Sequence, residues 1–331
     1  MTTQTAINYR ELAEQVLSGY ELTRAEALRI VEAPDDDLLD LLHAAFQIRK
    51  SFFGKKVKLN MIINAKSGLC PEDCGYCSQS IISDAPVEKY ALLSKESILA
   101  GAQEAIHRKA GTYCIVMSGR RPSERELDHV VEAVKEIRET TQLKICACLG
   151  FLSEQHAQKL SDSGVHRYNH NLNTSKENYS NICTTHEYDD RVDTVQKAKE
   201  SGMSPCSGVI IGMGESDREL VELAISLRAL DADSIPVNFL NAIDGTPLEG
   251  AQHLDPRKCL KAVAMMRFVN PSKEIRLSGG REINLRALQP LGLYAANSIF
   301  VGDYLTTQGQ EPTSDWQMIE DLGFEIEECA L

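Results

Sequence analysis

The sequence predicts an α/β fold, a (β/α)8 barrel of the TIM type with an N-terminal helical extension. From residue 57 onward, eight short β-type runs alternate with eight amphipathic helical stretches. This alternation is typical of parallel strands joined by right-handed crossovers. The length of 331 residues suits one such barrel, and no repeat, low-complexity tract or Pro/Gly-rich linker divides the chain. A doubly wound open sheet is the alternative, because alternation alone does not show that the sheet closes.

The first 55 residues predict three helices, over 9–20, 22–33 and 35–54. Thr23 and Glu26 have the spacing of a capping box, and the acidic run from Asp35 to Asp37 suits a helix start. We expect these helices to cap or extend the barrel and not to fold as an independent unit. The predicted division is an N-terminal helical extension at 1–55 and a barrel domain at 56–331.

Eight strand–helix pairs follow the extension. The predicted strands are 57–64, 112–119, 144–150, 166–172, 204–213, 234–240, 274–280 and 298–303. The helices that follow them are 94–110, 123–140, 153–163, 188–201, 216–230, 255–269, 283–290 and 314–322. In barrels of this type the active site lies on the loops that follow the strands.

The composition argues against several classes of function. The net charge of −13 gives no electrostatic basis for binding nucleic acid or an anionic membrane. No apolar run has the length of a membrane span, and the N-terminus lacks the apolar stretch of a signal peptide. We therefore expect a cytoplasmic protein. Ten cysteines in such a chain indicate metal or redox chemistry more than a disulfide framework.

Three cysteines, the loop thiols Cys70, Cys74 and Cys77, follow the first predicted strand. They are separated by three and then two residues, with Pro71 and Gly75 between them. Three thiolates on one loop can hold a cubane iron–sulfur cluster and leave its fourth iron open to a small molecule. Structural zinc and unrelated reactive surface thiols are the alternatives. Zinc normally takes four ligands, and the sequence has no matching second cysteine pair.

A second set of cysteines, the strand thiols Cys114, Cys146 and Cys206, is predicted inside the barrel. Alternation along the strands places them on the lumen side, with Arg276 on a further strand. A buried arginine needs an anionic partner, and three thiols that hold a second cluster provide one. Taken one at a time, each cysteine is more simply a small buried apolar residue.

Amides and one further thiol share this predicted lumen face. The asparagines that alternate onto it are Asn169, Asn171, Asn173 and Asn238. Cys148 is expected on the same face, about 7 Å along the strand from Cys146. His170 alternates away from the asparagines, so we expect it to pack against the helix layer.

Six blocks of sequence carry a resemblance to a known family. The segment GLCPEDCGYCSQS around the loop thiols resembles the radical S-adenosylmethionine superfamily. Further blocks resemble the biotin synthase family over nearly the whole chain: YNHNLNTS, PCSGVIIGMGE, IPVNFL, IRLSGGRE and AANSIFVGDYL. The resemblance implies a sulfurtransferase that inserts sulfur into dethiobiotin to form biotin, with S-adenosylmethionine as cofactor. It implies no side chain that acts as an acid or base catalyst.

The resemblance also implies two clusters. A 4Fe-4S cluster on the loop thiols binds S-adenosylmethionine through its open iron and cleaves it to a 5′-deoxyadenosyl radical, which abstracts hydrogen from the substrate. A 2Fe-2S cluster donates the sulfur, and its ligands correspond to Cys114, Cys146, Cys206 and Arg276. Cys148 is additional to this set, so a different iron content of the second cluster stays open.

Binding residues follow from the same resemblance. Those implied to contact S-adenosylmethionine are Tyr76, Asn171, Asn173 and Arg191. Gly212, Gly214 and Glu215 follow a predicted strand and are expected to shape the adenosine part of the same cofactor site. Asn169 and Asn238 are implied to hold the ureido ring of dethiobiotin, whose carbonyl and N–H groups match amides. Asn173 stands where the family usually has Asp, so we expect weaker or altered binding. Without the resemblance, Tyr76 suits loop packing, Arg191 a surface salt bridge, and the two glycines a plain turn.

Two other functions stay open. One is another radical S-adenosylmethionine enzyme of the biotin-synthase-like group, such as a hydrogenase maturase or a methylornithine-forming enzyme. The other is a non-catalytic iron–sulfur carrier, which needs four protein ligands per cluster and no polar lumen. The implied partners are dethiobiotin, S-adenosylmethionine, an electron donor such as flavodoxin or ferredoxin, and a second copy in a homodimer. Cys183, Cys259 and Cys329 receive no predicted role.

Overall fold

A closed barrel of parallel strands lies at the centre of the computed structural model, which describes residues 7–251 and 254–328. Its strands are β1 Lys56–Lys66, β2 Thr112–Met117, β3 Lys144–Cys148, β4 Arg167–Asn169, β5 Ser204–Cys206, β6 Val209–Ile211, β7 Ser234–Phe239, β8 Glu274–Leu277 and β9 Ser298–Phe300. Strands β5 and β6 share one position, since both pair with β7. β1 pairs with β9, with Lys58 opposite Ser298. The sheet therefore closes, which confirms the predicted barrel and excludes the open sheet.

Helices surround the barrel and precede it. They are α1 Tyr9–Leu17, α2 Arg24–Val31, α3 Leu38–Phe53, α4 Lys95–His107, α5 Glu124–Thr140, α6 Glu154–Asp162, α7 Tyr179–Ile182, α8 Tyr188–Glu200, α9 Asp217–Ala229, α10 Pro256–Val269, α11 Arg281–Leu285 and α12 Pro312–Asp321. Local chemistry sets several of their starts. Ser123 with Glu126 and Ser216 with Glu219 form capping boxes, and the Asp255 side chain accepts two backbone N–H groups before α10.

Three regions of the barrel differ from the sequence prediction. The fifth strand is interrupted, because at Gly208 the neighbouring backbone comes so close that a Cβ would lie 2.0 Å from the Pro236 carbonyl oxygen. The helix predicted at 283–290 is instead the short α11 followed by a 3-10 helix over Arg286–Tyr294, which contains Pro290. A two-residue strand, β10 Glu325–Ile326, was not predicted and pairs with the start of β1.

The N-terminal helices pack on the outside of the barrel. α2 and α3 contact α10, α1 contacts α3, and their buried side chains join the same hydrophobic core as the barrel. The predicted capping box between Thr23 and Glu26 is formed. Asp35–Asp37 forms a 3-10 turn before α3. Because α10 lies between the barrel and the extension, every residue from Cys259 to Val269 is buried.

No helix within the described residues has both the length and the apolar character needed to cross a membrane.

Candidate active site

A cavity of about 390 Å³ opens at the carboxyl ends of the strands. In this fold that end carries the loops on which active sites are built. Much of the wall is apolar and includes Ile62 and Phe300, but thiols, amides and guanidinium groups also face the cavity. The predicted site residues that line it are Cys70, Cys74, Tyr76, Cys77, Cys114, Cys146, Asn169, Asn171, Asn173, Arg191, Asn238 and Arg276.

The strand thiols lie close together on β2, β3 and β5, with β4 between the last two of these strands. Cys114 on β2 and Cys146 on β3 are register partners, so parallel pairing places their side chains next to each other. Cys206 on β5 contacts Cys146 but is fully buried and does not itself line the cavity. The Asn169 amide donates to Cys206 Sγ at 3.2 Å. The hydrogen bond with Cys114 raises the pKa of the Cys146 thiol, and burial raises that of Cys206.

The sequence predicted that the buried Arg276 needs an anionic partner. In the structure one such partner is the Glu274 carboxylate, which was not predicted. The Arg276 guanidinium donates to Glu274, two residues earlier on the same strand face, and to Ser234 Oγ at 3.0 Å. Arg167 and Lys58 also contact Glu274, at 2.9 and 3.2 Å. Period-two alternation from Arg276 back to Glu274 was the available signal.

Burial and charge oppose each other in this buried cluster at the base of the lumen. Burial alone raises the pKa of the Glu274 carboxyl, but Arg167, Arg276 and Lys58 outweigh it and hold the pKa well below its usual value. Burial likewise lowers the pKa of Arg276, and the charge of Glu274 outweighs it. The three cations Lys58, Arg167 and Arg276 surround the single carboxylate of Glu274. This group of ion pairs therefore has a net positive charge, which lies beneath the strand thiols.

The loop thiols lie on irregular backbone after β1. The chain turns through left-handed conformations at Gly68 (φ +64°) and Leu69 (φ +56°). Cys70 and Cys77 are half-buried, and Cys74 is buried. Burial raises the pKa of the Cys77 thiol to about 11. The Cys74 thiol donates to Cys183 Sγ at 3.7 Å.

Tyr76 lies between two loop thiols and contacts the asparagine strip. The Asn173 amide donates to its hydroxyl at 2.5 Å. Asn173 is in the left-handed region (φ +69°), which asparagine tolerates better than most residues. Burial raises the pKa of Tyr76 well above its usual value. Its ring packs against the apolar cluster of Ile182, Met213 and Leu240, so the loop-packing alternative describes part of its surroundings.

Arg191 is buried and points into the cavity, which excludes the surface salt bridge considered from sequence. It donates to the Tyr179 hydroxyl, to the Asn171 carbonyl at 3.0 Å and to His186 Nε2 at 2.9 Å. Its guanidinium also approaches Cys74 Sγ at 4.0 Å. Arg191 therefore brings positive charge to the loop thiols.

The remaining amides are held in defined orientations. Asn169 donates to Asn171 Oδ1 at 2.9 Å. The Asn238 amide donates to the Val209 carbonyl at 3.0 Å and accepts from the Gly279 N–H at 3.1 Å. Asn238 therefore ties three chain segments together at the cavity wall.

Gly212, Gly214 and Glu215 do not line the cavity. The Glu215 carboxylate instead accepts the backbone N–H groups of Gly212 and Met213, at 2.7 and 2.8 Å. Gly212 has φ +101° and Gly214 φ +92°, as the turn reading of these glycines predicts. The structure brings these residues to the loop after β6, adjacent to Met213 and not to the cavity surface.

Two further residues complete the comparison with the sequence. Cys148 lines the cavity as expected, and burial raises the pKa of its thiol to about 12. The expectation that His170 packs against the helix layer is wrong, since His170 lines the cavity and its ring lies 5.0 Å from that of Phe151. The reason is that β4 ends at Asn169, so strand alternation does not extend to residue 170.

Side chains around Cys74 form a cluster that the sequence did not reveal. Cys183 and His186 come from the segment between α7 and α8, and Glu72 comes from the cysteine loop itself. His186 Nδ1 lies 2.7 Å from Glu72 Oε2. Neither cysteine nor histidine spacing signals this cluster, because the two segments are more than 100 residues apart in the chain.

The two thiol sets fit two iron–sulfur clusters. Every cysteine in the described part of the chain is a free thiol. The loop set offers three ligands beside the cationic Arg191, which suits an anionic cluster with one iron left open. The strand set offers three ligands beside Arg276. A non-catalytic carrier needs four cysteine ligands per cluster, and each set reaches four only if Cys148 or Cys183 is added.

Comparison with known proteins identifies family and fold. Residues 66–227 match the model of the Radical SAM superfamily, and residues 236–325 match the Biotin and Thiamin Synthesis associated domain. The chain is 67% identical over 328 residues to a biotin synthase of Bacillus anthracis and 66% identical to one of Bacillus cytotoxicus, covering 99% of each chain in both pairs.

Solved structures share the fold at much lower identity. Methylornithine synthase superposes with a TM-score of 0.84 at 21% identity, covering 96% of this chain and 97% of that chain. An FeFe-hydrogenase maturase from Carboxydothermus hydrogenoformans gives a TM-score of 0.82 at 17% identity, covering 97% and 80%. These likenesses support the barrel alone. The identity to the curated relatives over nearly the full length, together with the two domain matches, shows that the chain belongs to the biotin synthase family.

Proposed function

We propose that this chain inserts sulfur into dethiobiotin and closes the ring of biotin, as a radical S-adenosylmethionine enzyme. The observation that carries the proposal is one cavity lined by the loop thiols at its mouth and by Cys114 and Cys146 deeper in the lumen, with Cys206 buried against Cys146. When bound, the two clusters and S-adenosylmethionine supply a carbon radical that removes hydrogen from saturated carbon and the sulfur that replaces it. Acid–base side chains cannot activate such bonds, which agrees with the lack of an assigned acid or base.

The chain's own residues hold these groups. Cys70, Cys74 and Cys77 hold the 4Fe-4S cluster. Cys114, Cys146, Cys206 and Arg276 hold the 2Fe-2S cluster, and the strand ladder fixes the spacing of the first two. Glu274 positions Arg276 from below by accepting its hydrogen bond. The surplus of positive charge around Glu274 favours an anionic cluster above it.

Residues at the cavity mouth bind S-adenosylmethionine. Tyr76 would pack beside the adenine, and Asn171, Asn173 and Arg191 would offer hydrogen-bond donors and acceptors to the cofactor's polar groups. Their existing contacts with one another hold them in place before binding. Gly212, Gly214 and Glu215 act from outside the cavity, by fixing the loop that packs behind the adenosine site.

Two amides hold the ureido ring of dethiobiotin. Asn169 and Asn238 both line the cavity and carry the donors and acceptors that a ureido carbonyl and its N–H groups require. The hydrogen bonds of Asn238 to the ureido ring replace or supplement its present hydrogen bonds with Val209 and Gly279. The apolar wall at Ile62 keeps water away from the reacting carbons.

The proposal extends to partners and location. The 4Fe-4S cluster, when bound, would take its electron from a small electron-transfer protein such as flavodoxin or ferredoxin. The protein would work in the cytoplasm as a homodimer. The net charge of −13 supports a partner other than nucleic acid.

The test is a single-turnover reaction without oxygen. Reconstituted protein receives dethiobiotin, S-adenosylmethionine and a strong reductant, and mass spectrometry quantifies 5′-deoxyadenosine and biotin. We expect both products, and neither in Cys70→Ala. Cys259→Ala, which removes a buried thiol on α10 far from any assigned ligand set, is the matched control and keeps both.

Other outcomes decide between the alternatives. 5′-Deoxyadenosine without biotin, from protein with full iron and sulfide, contradicts the substrate and directs the search to another radical S-adenosylmethionine reaction. Neither product from the same protein contradicts the enzyme and favours an iron–sulfur carrier.

A further inference from the structure

Beside the loop thiol Cys74 lie two metal-binding side chains, Cys183 and His186, that the proposed sulfur insertion does not use. Cys183 Sγ is 3.7 Å from Cys74 Sγ, and it lies 3.2 Å from His186 Nδ1 and 3.7 Å from Nε2. All three residues are buried, and their ligand atoms lie within 4.8 Å of one another.

We propose that Cys74, Cys183 and His186 form a mononuclear site for a thiophilic divalent cation of the zinc class, occupied when the 4Fe-4S cluster is not in place. Because Cys74 belongs to both sets, the cation and the cluster exclude each other. The site thus makes the cluster-free enzyme a divalent-metal protein, which goes beyond the proposed sulfur insertion.

The distances suit one tetrahedral metal. Bonds of about 2.3 Å from zinc to sulfur place two tetrahedral sulfurs about 3.8 Å apart, close to the 3.7 Å between Cys74 and Cys183. A bond of about 2.0 Å to imidazole places nitrogen about 3.5 Å from sulfur, within about 0.2 Å of the 3.7 Å at His186 Nε2. Two thiolates on different irons of one cluster stand farther apart, because a metal–metal separation lies between them.

Hydrogen bonds already set the histidine for this role. His186 Nδ1 contacts Glu72 Oε2 at 2.7 Å, so Nδ1 carries the proton and Nε2 carries the lone pair. This is the carboxylate–histidine arrangement found behind metal-bound imidazoles. Arg191 now donates to Nε2 at 2.9 Å. Binding exchanges that hydrogen bond for the metal bond, while Arg191 keeps its contacts with Tyr179 and Asn171.

Charge balance also favours a dication. On binding, the Cys74 and Cys183 thiols lose their protons to solvent, which leaves two thiolates beside the carboxylates of Glu72 and Asp73. The cationic groups nearby are Arg191 and Arg120, which contacts Glu72 at 3.2 Å. Four negative and two positive charges become neutral with one dication. Asp73 Oδ1, 3.0 Å from Cys183 Sγ, or a water completes the four ligands.

The test uses Co²⁺ as a probe on the full-length, cluster-free protein, kept reduced and without oxygen. We expect one Co²⁺ per chain, with thiolate-to-cobalt charge transfer and the intense visible bands of four-coordinate cobalt, displaced by one equivalent of Zn²⁺. Cys183→Ala weakens Co²⁺ binding more than about 100-fold, since loss of a ligand exceeds the 10–100-fold typical of outer contacts. Cys259→Ala is the matched control and binds as the parent does.

Three further variants separate this site from the loop thiols acting alone. Co²⁺ binding persists in Cys70→Ala and Cys77→Ala but is lost in His186→Gln, with circular dichroism showing that each variant is folded. Prior loading with Zn²⁺ slows incorporation of iron and sulfide at least 10-fold in the parent protein and not in Cys183→Ala. Unchanged cobalt spectra in folded Cys183→Ala, or their loss in Cys70→Ala, overturn the proposal whether or not the enzyme forms biotin.

Discussion

The loop thiols and two of the strand thiols, Cys114 and Cys146, line the same cavity, but the two sets are positioned by different physics. The strand thiols are set by the barrel, since Cys114 and Cys146 are paired in the β2–β3 ladder and Arg276 is fixed by buried hydrogen bonds. The loop thiols lie on backbone without a ladder, and Cys74 is turned toward Cys183. The comparison indicates that the inner site is preorganised by the fold, whereas the outer site takes its final arrangement from what binds there.

This difference agrees with what each set has to do. Ladder hydrogen bonds and a buried ion cluster resist local opening, whereas irregular surface loops open at lower free energy. A site that supplies sulfur from within needs a fixed distance to the substrate. A site that holds an exchangeable cofactor at the cavity mouth tolerates a more adaptable backbone.

The largest expected effect separates the two sets by function. Cys146→Ala removes the central strand thiol while the loop thiols remain, so we expect 5′-deoxyadenosine formation to continue and biotin formation to be lost. Mass spectrometry of both products, with iron and sulfide analysis, measures this. Cys148→Ala is the matched control on the same strand face, with both clusters retained. Biotin formed by folded Cys146→Ala at the parent's yield contradicts the proposed ligand.

A second prediction tests whether the barrel base preorganises the strand thiols. Glu274→Gln keeps the shape but leaves Arg276, Arg167 and Lys58 without their shared anion. Breaking a buried ion cluster in this way costs about 3–5 kcal/mol. Urea unfolding of the cluster-free protein measures the loss, and Glu139→Gln on the exposed face of α5 is the control. A loss below about 1 kcal/mol contradicts a positioning role for this carboxylate.

The third prediction concerns the adaptable outer site. Asn173→Asp introduces the carboxylate that the family usually has, and a charged acceptor strengthens a hydrogen bond to a cofactor hydroxyl by about 1–1.5 kcal/mol. We expect S-adenosylmethionine to bind up to about 10-fold more tightly. Tyr76 then donates to the carboxylate, so the contact with Asn173 is kept with reversed direction.

Calorimetric titration of the reconstituted enzyme with S-adenosylmethionine measures this change. Asn181→Asp, an exposed position outside the cavity, controls for the added charge. Equal or weaker binding by folded Asn173→Asp indicates that residue 173 contributes to the cofactor site through its left-handed backbone and not through its acceptor.

Sequence reasoning predicted the fold and the two thiol sets because both depend on short-range patterns. The alternation of strands and helices predicted the barrel, and period-two alternation predicted Cys114, Cys148 and Arg276 in the lumen. It failed at His170, where the strand ends one residue too early for alternation to apply.

Contacts between distant segments could not be predicted in the same way. Glu274 was missed although it shares a strand face with Arg276, because a single acidic residue in a strand has no distinctive spacing. Cys183 and His186 meet Cys74 only through the packing of the α7–α8 segment on the cysteine loop. A short-range contact was also missed: the carboxylate of Glu215, which stays predicted for the cofactor site, accepts the Gly212 backbone N–H within its own loop.

The smallest expected effect is a change in the pH dependence of stability, and it concerns His170, which lines the cavity. Its backbone N–H donates to the Cys206 carbonyl at 2.9 Å, and its ring is buried beside Phe151. Burial, with the charge of Arg191, holds the pKa of His170 well below 6.5.

In the cluster-free protein the folded state keeps this imidazole neutral, whereas the unfolded state protonates it as the pH falls below 6.5. Stability is therefore present above that pH and lost below it, by about 0.8 kcal/mol at pH 6.0 for this one group. Urea unfolding at pH 7.5 and 6.0 measures this loss of stability. We expect the loss to be smaller by that amount in His170→Phe. The control His107→Gln, at an exposed position, leaves the loss as it is in the parent protein. If folded His170→Phe shows the same pH dependence of stability as the parent protein, then this histidine is solvated and titrates normally. The part of the cavity around it is then open to water.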